Sequence, residues 1–309
     1  MKLISVVTPC YNEEENVEEL YREVKSIFKT FPDYRHEHIF IDNASTDKTQ
    51  AILKKLAAED RDLKIIFNLR NFGHIRSPYH ALMQAGGDAV ILLCCDFQDP
   101  PERIGAFIKK WEEGYKIVLG VKNKSEEMPW MFAVRRFYYF LIKRFSDVKQ
   151  VGNFTGFGLY DRSFLDILKR LSEPYPYFRG LVAEFGFEQI EVPYIQPTRR
   201  KGKTKNNFYT LYDMAMQGFV NYSMTPLRMA SFIGFIASVA SFLVAVVYLV
   251  YKLIYWDRFQ VGIAPVVIGF FFFSSIQLFF IGMIGEYLGG VLTHVKARPL
   301  VIEKERINF

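Results

Sequence analysis

Cys94-Cys95-Asp96-Phe97-Gln98-Asp99-Pro100-Pro101-Glu102 decides the fold, because the apolar run before it, Ala89 to Leu93, reads as a buried strand that ends in a cluster of acids. In open α/β sheets ligands bind outside the carboxyl ends of the strands, where short acidic side chains reach a cation or a ribose without crossing the core. Asp96 and Asp99 are therefore candidates for a metal–diphosphate site. A hard ion such as Mg²⁺ takes a few carboxylate oxygens, keeps some waters and completes its shell with phosphate oxygens, so a short acidic turn suffices. A structural reading is also open. Pro100-Pro101-Glu102 makes a good helix start, with proline in the first turn and an acid near the helix dipole, and the acids would then only cap that helix.

Outward from this stretch the same grammar repeats. Leu3 to Val7 reads as a buried strand leading into Thr8-Pro9-Cys10-Tyr11-Asn12-Glu13, after which Val17, Leu20, Val24 and Ile27 recur at helical spacing. Asn12 with Glu15 forms a capping-box-like pair, so both are explicable as a helix start. His38 to Ile41 is a second strand ending at Asp42-Asn43-Ala44-Ser45-Thr46-Asp47, and Leu63 to Phe67 a third ending at Asn68-Leu69-Arg70-Asn71. Strands alternating with helices predict a doubly wound, mainly parallel α/β sheet. No G-x-G-x-x-G follows the first strand and no G-x-x-x-x-G-K-[ST] occurs, which disfavours an ordinary dinucleotide fold and a phosphate-loop NTPase. What remains is a nucleotide held by acids at strand ends and by a metal.

The 309 residues, half of them hydrophobic and with a formal charge of +6, hold one sizeable α/β domain and something more. Met229 to Val250 carries no charge, a run of about 33 Å as a helix, enough to cross a hydrocarbon core of about 30 Å. Val261 to Gly285 is a second such run. Two transmembrane helices are expected. Gly234, Gly269, Gly282 and Gly285 supply small faces, either for packing within the hairpin or for a homo-oligomer, a dimer or tetramer. The start Met1-Lys2 leads straight into a strand without a signal peptide, and Lys296, Arg298, Lys304 and Arg306 follow the second span. Both ends are thus expected on the cytoplasmic side of a plasma (inner) membrane. Three cysteines, two of them adjacent, form no disulfide framework, and no Cys/His spacing suggests zinc.

The motifs together carry a resemblance. Val7-Thr8-Pro9-Cys10-Tyr11-Asn12-Glu13, Ile41-Asp42-Asn43-Ala44-Ser45-Thr46-Asp47, Asn71-Phe72-Gly73, Asp96-Phe97-Gln98-Asp99-Pro100-Pro101-Glu102 and Gly156-Phe157-Gly158-Leu159-Tyr160-Asp161-Arg162 stand in the order found in family 2 glycosyltransferases. With the paired apolar runs, the chain most resembles the polyprenyl-phosphate branch, which contains bactoprenol glucosyltransferases and dolichol-phosphate mannose synthases. The resemblance implies a GT-A-like nucleotide-sugar domain over 1–207 and a nucleotide-sugar donor gripped by Pro9, Tyr11, Asn12, Glu13, Asp42 and Asn71. It places Mg²⁺, or Mn²⁺, on Asp96, Gln98 and Asp99. Where the family often writes D-x-D this chain has Cys94-Cys95-Asp96, and Asn43 stands where a second Asp is common. A thiol is soft and usually protonated, hence a poor Mg²⁺ ligand, so the metal must lean on Asp96.

Two stretches are expected to lie on the membrane. Within 128–146, Arg135, Arg136, Lys143 and Arg144 share an arc opposite Phe132, Phe137, Tyr139 and Phe140, and within 208–226 Thr210, Asp213, Gln217 and Asn221 form a narrow polar stripe. A basic arc opposite aromatics fits an anionic headgroup layer, with a core helix as the alternative. Between them Arg199-Arg200-Lys201-Gly202-Lys203-Thr204-Lys205 is a basic loop that lacks any nucleic-acid module; it resembles the family's active-site loop and is expected to clamp phosphates. Arg199 and Lys205 join Asp96, Gln98 and Asp161 as catalytic candidates, and Arg135, Arg136, Arg200, Lys201 and Lys203 as candidates for the acceptor phosphate. Asp161 also reads as a helix N-terminal acid before Ser163. Residues 227–290 would form the spans and 291–309 a cytosolic tail.

The activity expected is inverting transfer of a sugar, glucose from UDP-glucose, to a polyprenyl phosphate such as undecaprenyl phosphate at the membrane face. Another donor, such as GDP-mannose or a UDP-aminosugar, is the nearest alternative, and a nucleotide-sugar-binding scaffold without turnover is the rival of another class. A processive synthase is disfavoured, since no Q-x-x-R-W stretch occurs. None of the five histidines has ligand spacing.

Overall fold

A computed structural model describes residues 1–123, 151–171, 173, 176–197, 225–255, 263–296 and 298–309. Its body is one eight-stranded sheet covered on both faces. The elements are β1 (Lys2–Cys10), α1 (Val17–Phe28), β2 (Tyr34–Asp42), α2 (Thr49–Glu59), β3 (Leu63–Asn68), α3 (Gly73–Gln84) and β4 (Ala89–Leu92). A 3₁₀ turn, Pro101–Arg103, then leads into α4 (Ile104–Glu112), followed by β5 (Ile117–Lys122), β6 (Phe154–Asp161), α5 (Arg162–Arg170), α6 (Phe178–Glu184) and β7 (Gln189–Tyr194). Two long helices, α7 (Thr225–Ile254) and α8 (Ile263–Lys296), precede a last strand, β8 (Glu303–Ile307).

The sheet order is β7-β5-β6-β4-β1-β2-β3-β8. β1 pairs in parallel with β2 on one side and with β4 on the other, so the strand order reverses at β1 and a crevice opens at the carboxyl ends of β1 and β4. β6 runs antiparallel to both β4 and β5. The predicted strands are all present, and their near-continuous apolar runs are explained by helices on both faces. Ile4, Val6, Phe40, Ile65 and Ile91 point to α1, α2 and α4, while Val7, Ile39, Ile41, Ile66 and Val90 point to α3, α5 and α6. α1 shows how sequence sets this up: Val17, Leu20, Tyr21, Val24 and Phe28 are its buried residues, one stripe at helical spacing. The antiparallel pair β5–β6 approaches so closely that a Cβ at Gly158 would run into the Val118 carbonyl.

Three local expectations are corrected. Asn12 does not cap α1, whose N-cap is Asn16; Asn12 sits at φ +55° and ties two loops together, its N–H donating to Ser45 Oγ at 2.8 Å and its Oδ1 accepting from Thr46 N–H at 2.8 Å. The stretch after α8 is no loose tail: β8 pairs antiparallel with β3, and the Asn308 amide donates to the carbonyls of Ala57, Asp60 and Leu63. Packing of the small faces within the hairpin is not seen among the described residues, since a Cβ at Gly234, Gly269, Gly282 or Gly285 would meet nothing within 4 Å in this chain. α7 and α8 are long and apolar enough to cross a membrane, and the apolar windows within them are unburied. The expected interfacial stretch 128–146 and residues 208–224 of the second lie outside the described residues.

The loops at the carboxyl ends are joined by a buried amide. Asn43, 6% exposed, donates from Nδ2 to Asn71 Oδ1 at 2.9 Å and to the Gly73 carbonyl at 3.2 Å, while its Oδ1 accepts from Asn68 Nδ2 at 3.1 Å and Phe72 N–H at 2.8 Å. Both donors and both lone pairs are used, which is why an amide and not a carboxylate stands here. Asn43→Asp sets a carboxylate oxygen against two acceptors. A buried unsatisfied group costs about 1–3 kcal/mol, which predicts a fall in Tm of about 2–12 °C for the detergent-solubilised protein; an unchanged melt would refute this account of Asn43.

His38 supplies a pH test. It is buried against the Phe40 ring, its Nε2 pairs with Thr8 Oγ1 at 2.9 Å, and its Nδ1 has no partner. Burial lowers its pKa from 6.5 to about 3. The folded chain therefore refuses a proton that the unfolded chain accepts, so the stability this ring contributes is complete above pH 6.5 and drains away as pH falls towards 3. From pH 6.5 to 5 wild type should lose up to about 1.4 kcal/mol per pH unit to this site. His38→Gln should flatten that slope in denaturant titrations; an equal slope in both proteins would contradict the assignment.

Candidate active site

The carboxyl ends of the first four strands, with residues from β6 and α6, enclose a cleft of about 590 Å³. Pro9 enters it from the end of β1, Tyr11 and Glu13 from the turn after β1, Asn43 from the turn after β2, Asn71 and His74 from the segment after β3, and Asp96 from the turn after β4. The wall from β6 and α6 contributes Thr155, Tyr177, Phe178 and Arg179. The acid stretch that opens the sequence reading is therefore at the site. Asp96 is 8% exposed and its Oδ1 accepts from Gln98 N–H at 3.2 Å, closing a turn in which Phe97 takes φ +57°. That left-handed conformation is costly for a bulky residue and turns the phenyl ring into the core, leaving the carboxylate at the cleft.

Of the other predicted acids, the fold withdraws three. Asp99 is 3% exposed and lies behind the turn: its Oδ1 accepts from Tyr194 Oη at 2.9 Å and its Oδ2 from Cys94 N–H at 3.4 Å. Burial raises its pKa against those bonds. It braces the turn and does not line the cleft. Asp42 is fully buried at the end of β2, where its Oδ2 accepts from Ser45 N–H and from Gln50 Nε2 at 2.7 Å, and burial again pushes its carboxyl up. It shapes the β2–α2 turn, and its neighbour Asn43 reaches the cleft instead.

Asp161 is at the wrong end of the sheet. β6 is antiparallel to β4, so Asp161 stands opposite Ala89, while Gly158 stands opposite Leu92 at the cleft end. Its Oδ1 caps α5 by accepting from Ser163 N–H at 3.1 Å, and its Oδ2 accepts from Trp111 Nε1 at 2.7 Å and pairs with Lys116 at 3.3 Å. Against the upward push of burial, the bonds from Ser163 and Trp111 hold this carboxyl below the usual range. Its work is capping. Gln98 closes the Asp96 turn through its backbone, and its side chain does not line the cleft; nor does Asn12, committed to the β2–α2 loop. Arg135, Arg136, Arg199, Arg200, Lys201, Lys203 and Lys205 lie outside the described residues.

Sequence reasoning missed Asn43, His74, Thr155, Tyr177 and Arg179 as cleft residues. For Asn43 a signal existed, its place beside Asp42 at a strand end. Thr155 and Arg179 reach the cleft only because β6 runs antiparallel and α6 folds back over it, and no local pattern announces that. All three thiols line the cleft, yet burial pushes those of Cys10 and Cys95 well up, so both are held as inert thiols. Lys122, at the carboxyl end of β5, is half-buried and interacts with Asp99, Asp96 and Arg179; burial lowers its pKa.

The donor set suits a hard divalent ion only with help. Among the described residues no group of three or more His, Cys, Asp and Glu is placed to hold a metal by itself. Asp96 offers a hard oxygen at the cleft, and Mg²⁺ or Mn²⁺ bound through one carboxylate plus diphosphate oxygens and water fits that arrangement.

The model of the family described as glycosyl transferase family 2 matches residues 5–168. An uncharacterized glycosyltransferase of Bacillus subtilis, YkcC, is 34% identical over 299 residues, 96% of this chain and 92% of that protein. A prophage-derived bactoprenol glucosyl transferase of Shigella flexneri is 31% identical over 303 residues, 98% of this chain and 97% of that one. Among solved structures, the mannosyltransferase PcManGT from Pyrobaculum calidifontis, in complex with GDP-Man and Mn²⁺, aligns over 70% of this chain and 61% of that one at 20% identity with a TM-score of 0.44. A family match across most of the sheet, joined by relatives that run nearly end to end, agrees with the motif order in the sequence: the chain is a glycosyltransferase and belongs to glycosyl transferase family 2.

Proposed function

We propose that this glycosyltransferase moves a sugar, glucose from UDP-glucose, to a polyprenyl phosphate at the cytoplasmic face of a membrane, with inversion. The observation that carries the reading is the extent of the likeness to the bactoprenol glucosyl transferase: it covers 98% of this chain and so takes in the paired apolar helices as well as the sheet. A water-soluble acceptor would give those helices no task. α7 and α8 would hold the catalytic domain where its lipid acceptor lies.

The chemistry is one displacement. An oxygen of the lipid phosphate attacks the anomeric carbon, a phosphate–sugar bond forms, and the bond to the nucleoside diphosphate breaks. The attacking phosphate is already an anion at neutral pH, so no strong general base is needed. This agrees with a cleft whose acids, Glu13 and Asp96, stand on the wall of the donor loops. Asp96 would hold Mg²⁺ or Mn²⁺, and the bound cation supplies charge neutralisation for the leaving diphosphate. Pro9, Tyr11 and Asn71 would orient the nucleotide, and positioning with electrostatics would supply most of the rate. A donor such as GDP-mannose or a UDP-aminosugar would use the same frame. The scaffold reading, which draws on the departures at Cys94 and Asn43, is weakened, because Asn43 has a structural reason to be an amide.

The test is transfer of labelled sugar into the organic phase by the purified full-length protein, with undecaprenyl phosphate, Mg²⁺ and a panel of UDP- and GDP-sugars. One donor should give a lipid-linked product. Asp96→Ala should lower kcat/KM by about 10²–10³-fold, the scale on which removing a key electrostatic stabiliser acts, while a cooperative melting curve shows that the variant is still folded. No lipid-linked product from any donor would sink the reading.

A further inference from the structure

The cleft has two chemically distinct walls. The turns after β1 to β4 give a polar wall that carries the acids Glu13 and Asp96, while β6 and α6 give Thr155, Tyr177, Phe178 and Arg179. Among the described residues Arg179 is the only Lys or Arg that lines the cleft. It stands in the first turn of α6, donates from Nη1 to the Phe154 carbonyl on β6 at 3.3 Å, and lies 5.9 Å from the centre of the Tyr177 ring. That hydrogen bond uses one of the five N–H groups of a guanidinium, whose planar fork matches two phosphate oxygens at once. Phe178 packs edge-on against the rings of Tyr79 and Tyr160, at 6.4 and 4.9 Å between centres. The wall that carries the cation is therefore also aromatic and braced.

Two anions must share this cleft if the reaction above is right. The donor's diphosphate belongs with the cation at Asp96, on the polar wall. The acceptor's phosphate monoester must approach the same carbon while two carboxylates on that wall repel it. A cation contributed by a different part of the lining offsets the repulsion and gives the incoming phosphate a place to bind, and Arg is the side chain whose planar fork suits it. We propose that Arg179 binds the phosphate of the prenyl-phosphate acceptor, with Tyr177 and Phe178 seating the isoprene units next to it. This assignment rests on the polyprenyl-phosphate reading. It adds a binding residue on α6, a helix that the motifs of the sequence do not reach.

Calorimetric titration of the full-length protein in detergent separates the two claims, because binding needs no turnover. Farnesyl phosphate, farnesol and UDP are titrated into wild type, Arg179→Gln and Arg179→Lys, with melting curves as the fold control. Arg179→Gln should weaken farnesyl phosphate by about 10-fold or more, the loss of a bidentate charged contact. Arg179→Lys, which keeps the charge and loses the fork, should weaken it less. Farnesol and UDP should bind all three proteins alike. Should Arg179→Gln fail to fold, the lysine variant alone carries the comparison. Equal farnesyl phosphate affinity in the variants overturns the proposal, as does failure of wild type to bind it. Weakened UDP with farnesyl phosphate unchanged also overturns it and assigns Arg179 to the donor's diphosphate. Binding as expected without sugar transfer from any donor would leave Arg179 in place and remove the reaction.

Discussion

β1 lies between two parallel neighbours, and the rest of the molecule follows from that pairing. Parallel strands cannot be joined by tight hairpins, so each of β1, β2 and β3 must hand the chain to a helix that returns it to the start of the next strand. All the strand-to-helix turns then emerge at one end of the sheet. They carry backbone groups that no ladder satisfies, and side chains must satisfy them. Ser45, Asp47, Asn12 and Glu14 do this between the first two turns, where each accepts from a backbone N–H of the other. Asn43 does it between the second and the third. The polar residues that resemble a ligand site in the sequence are thus in large part the mortar of the site's own walls.

That mortar holds strained stones. Three of the four turns place a residue other than glycine in the left-handed region: Asn12 at φ +55°, Ala44 at φ +62° and Phe97 at φ +57°. Each such residue costs of order 1 kcal/mol or more and persists only where its surroundings over-determine it. The compensation is visible for each. Asn12 and Ala44 sit in the interlocked pair of turns, and Phe97 is anchored in the core while Asp99 holds the turn from behind through Tyr194. A relaxed turn after β4 would not present Asp96 at the cleft. The strain accompanies the presentation at the cleft of the one carboxylate on which, in the proposed reaction, a metal would lean.

These relations explain what could be read from the sequence and what could not. Period and composition sufficed for the parallel core, because an apolar run such as Ala89 to Leu93 between turn residues has few other fates. They sufficed for α7 and α8 as helices, since uncharged runs of that length have few alternatives. The position of the site was legible too, because acids recur at strand ends. Which acids face the cleft was not. Asp42, Asp96 and Asp99 have the same chemistry in the sequence, and only the backbone direction of each turn separates the buried braces from the carboxylate that lines the cleft. Asp161 illustrates a second limit: its role depends on β6 running antiparallel, and strand direction is a property of pairing that no local spacing reports. β8 shows a third. Five alternating residues after a long helix look like a tail until β3 offers an unpaired edge.

Withdrawal of Asp42 and Asp99 also changes the electrostatic argument for the cleft. A site lined by four ionised carboxylates would need several cations before any phosphate could enter. Burial and internal hydrogen bonds take two of them away from the cleft, and Cys94 contributes a thiol where a further carboxylate would add charge. The remaining negative charge, on Glu13 and Asp96, is concentrated on the wall of the donor loops. In the proposed reaction one divalent ion with a diphosphate would answer it there, and the Arg179 guanidinium elsewhere in the lining would help to admit a second anion. Cys94 is on this view consistent with an active enzyme, because a cleft that receives two phosphate-bearing substrates, as proposed, gains from each fixed negative charge it does not carry.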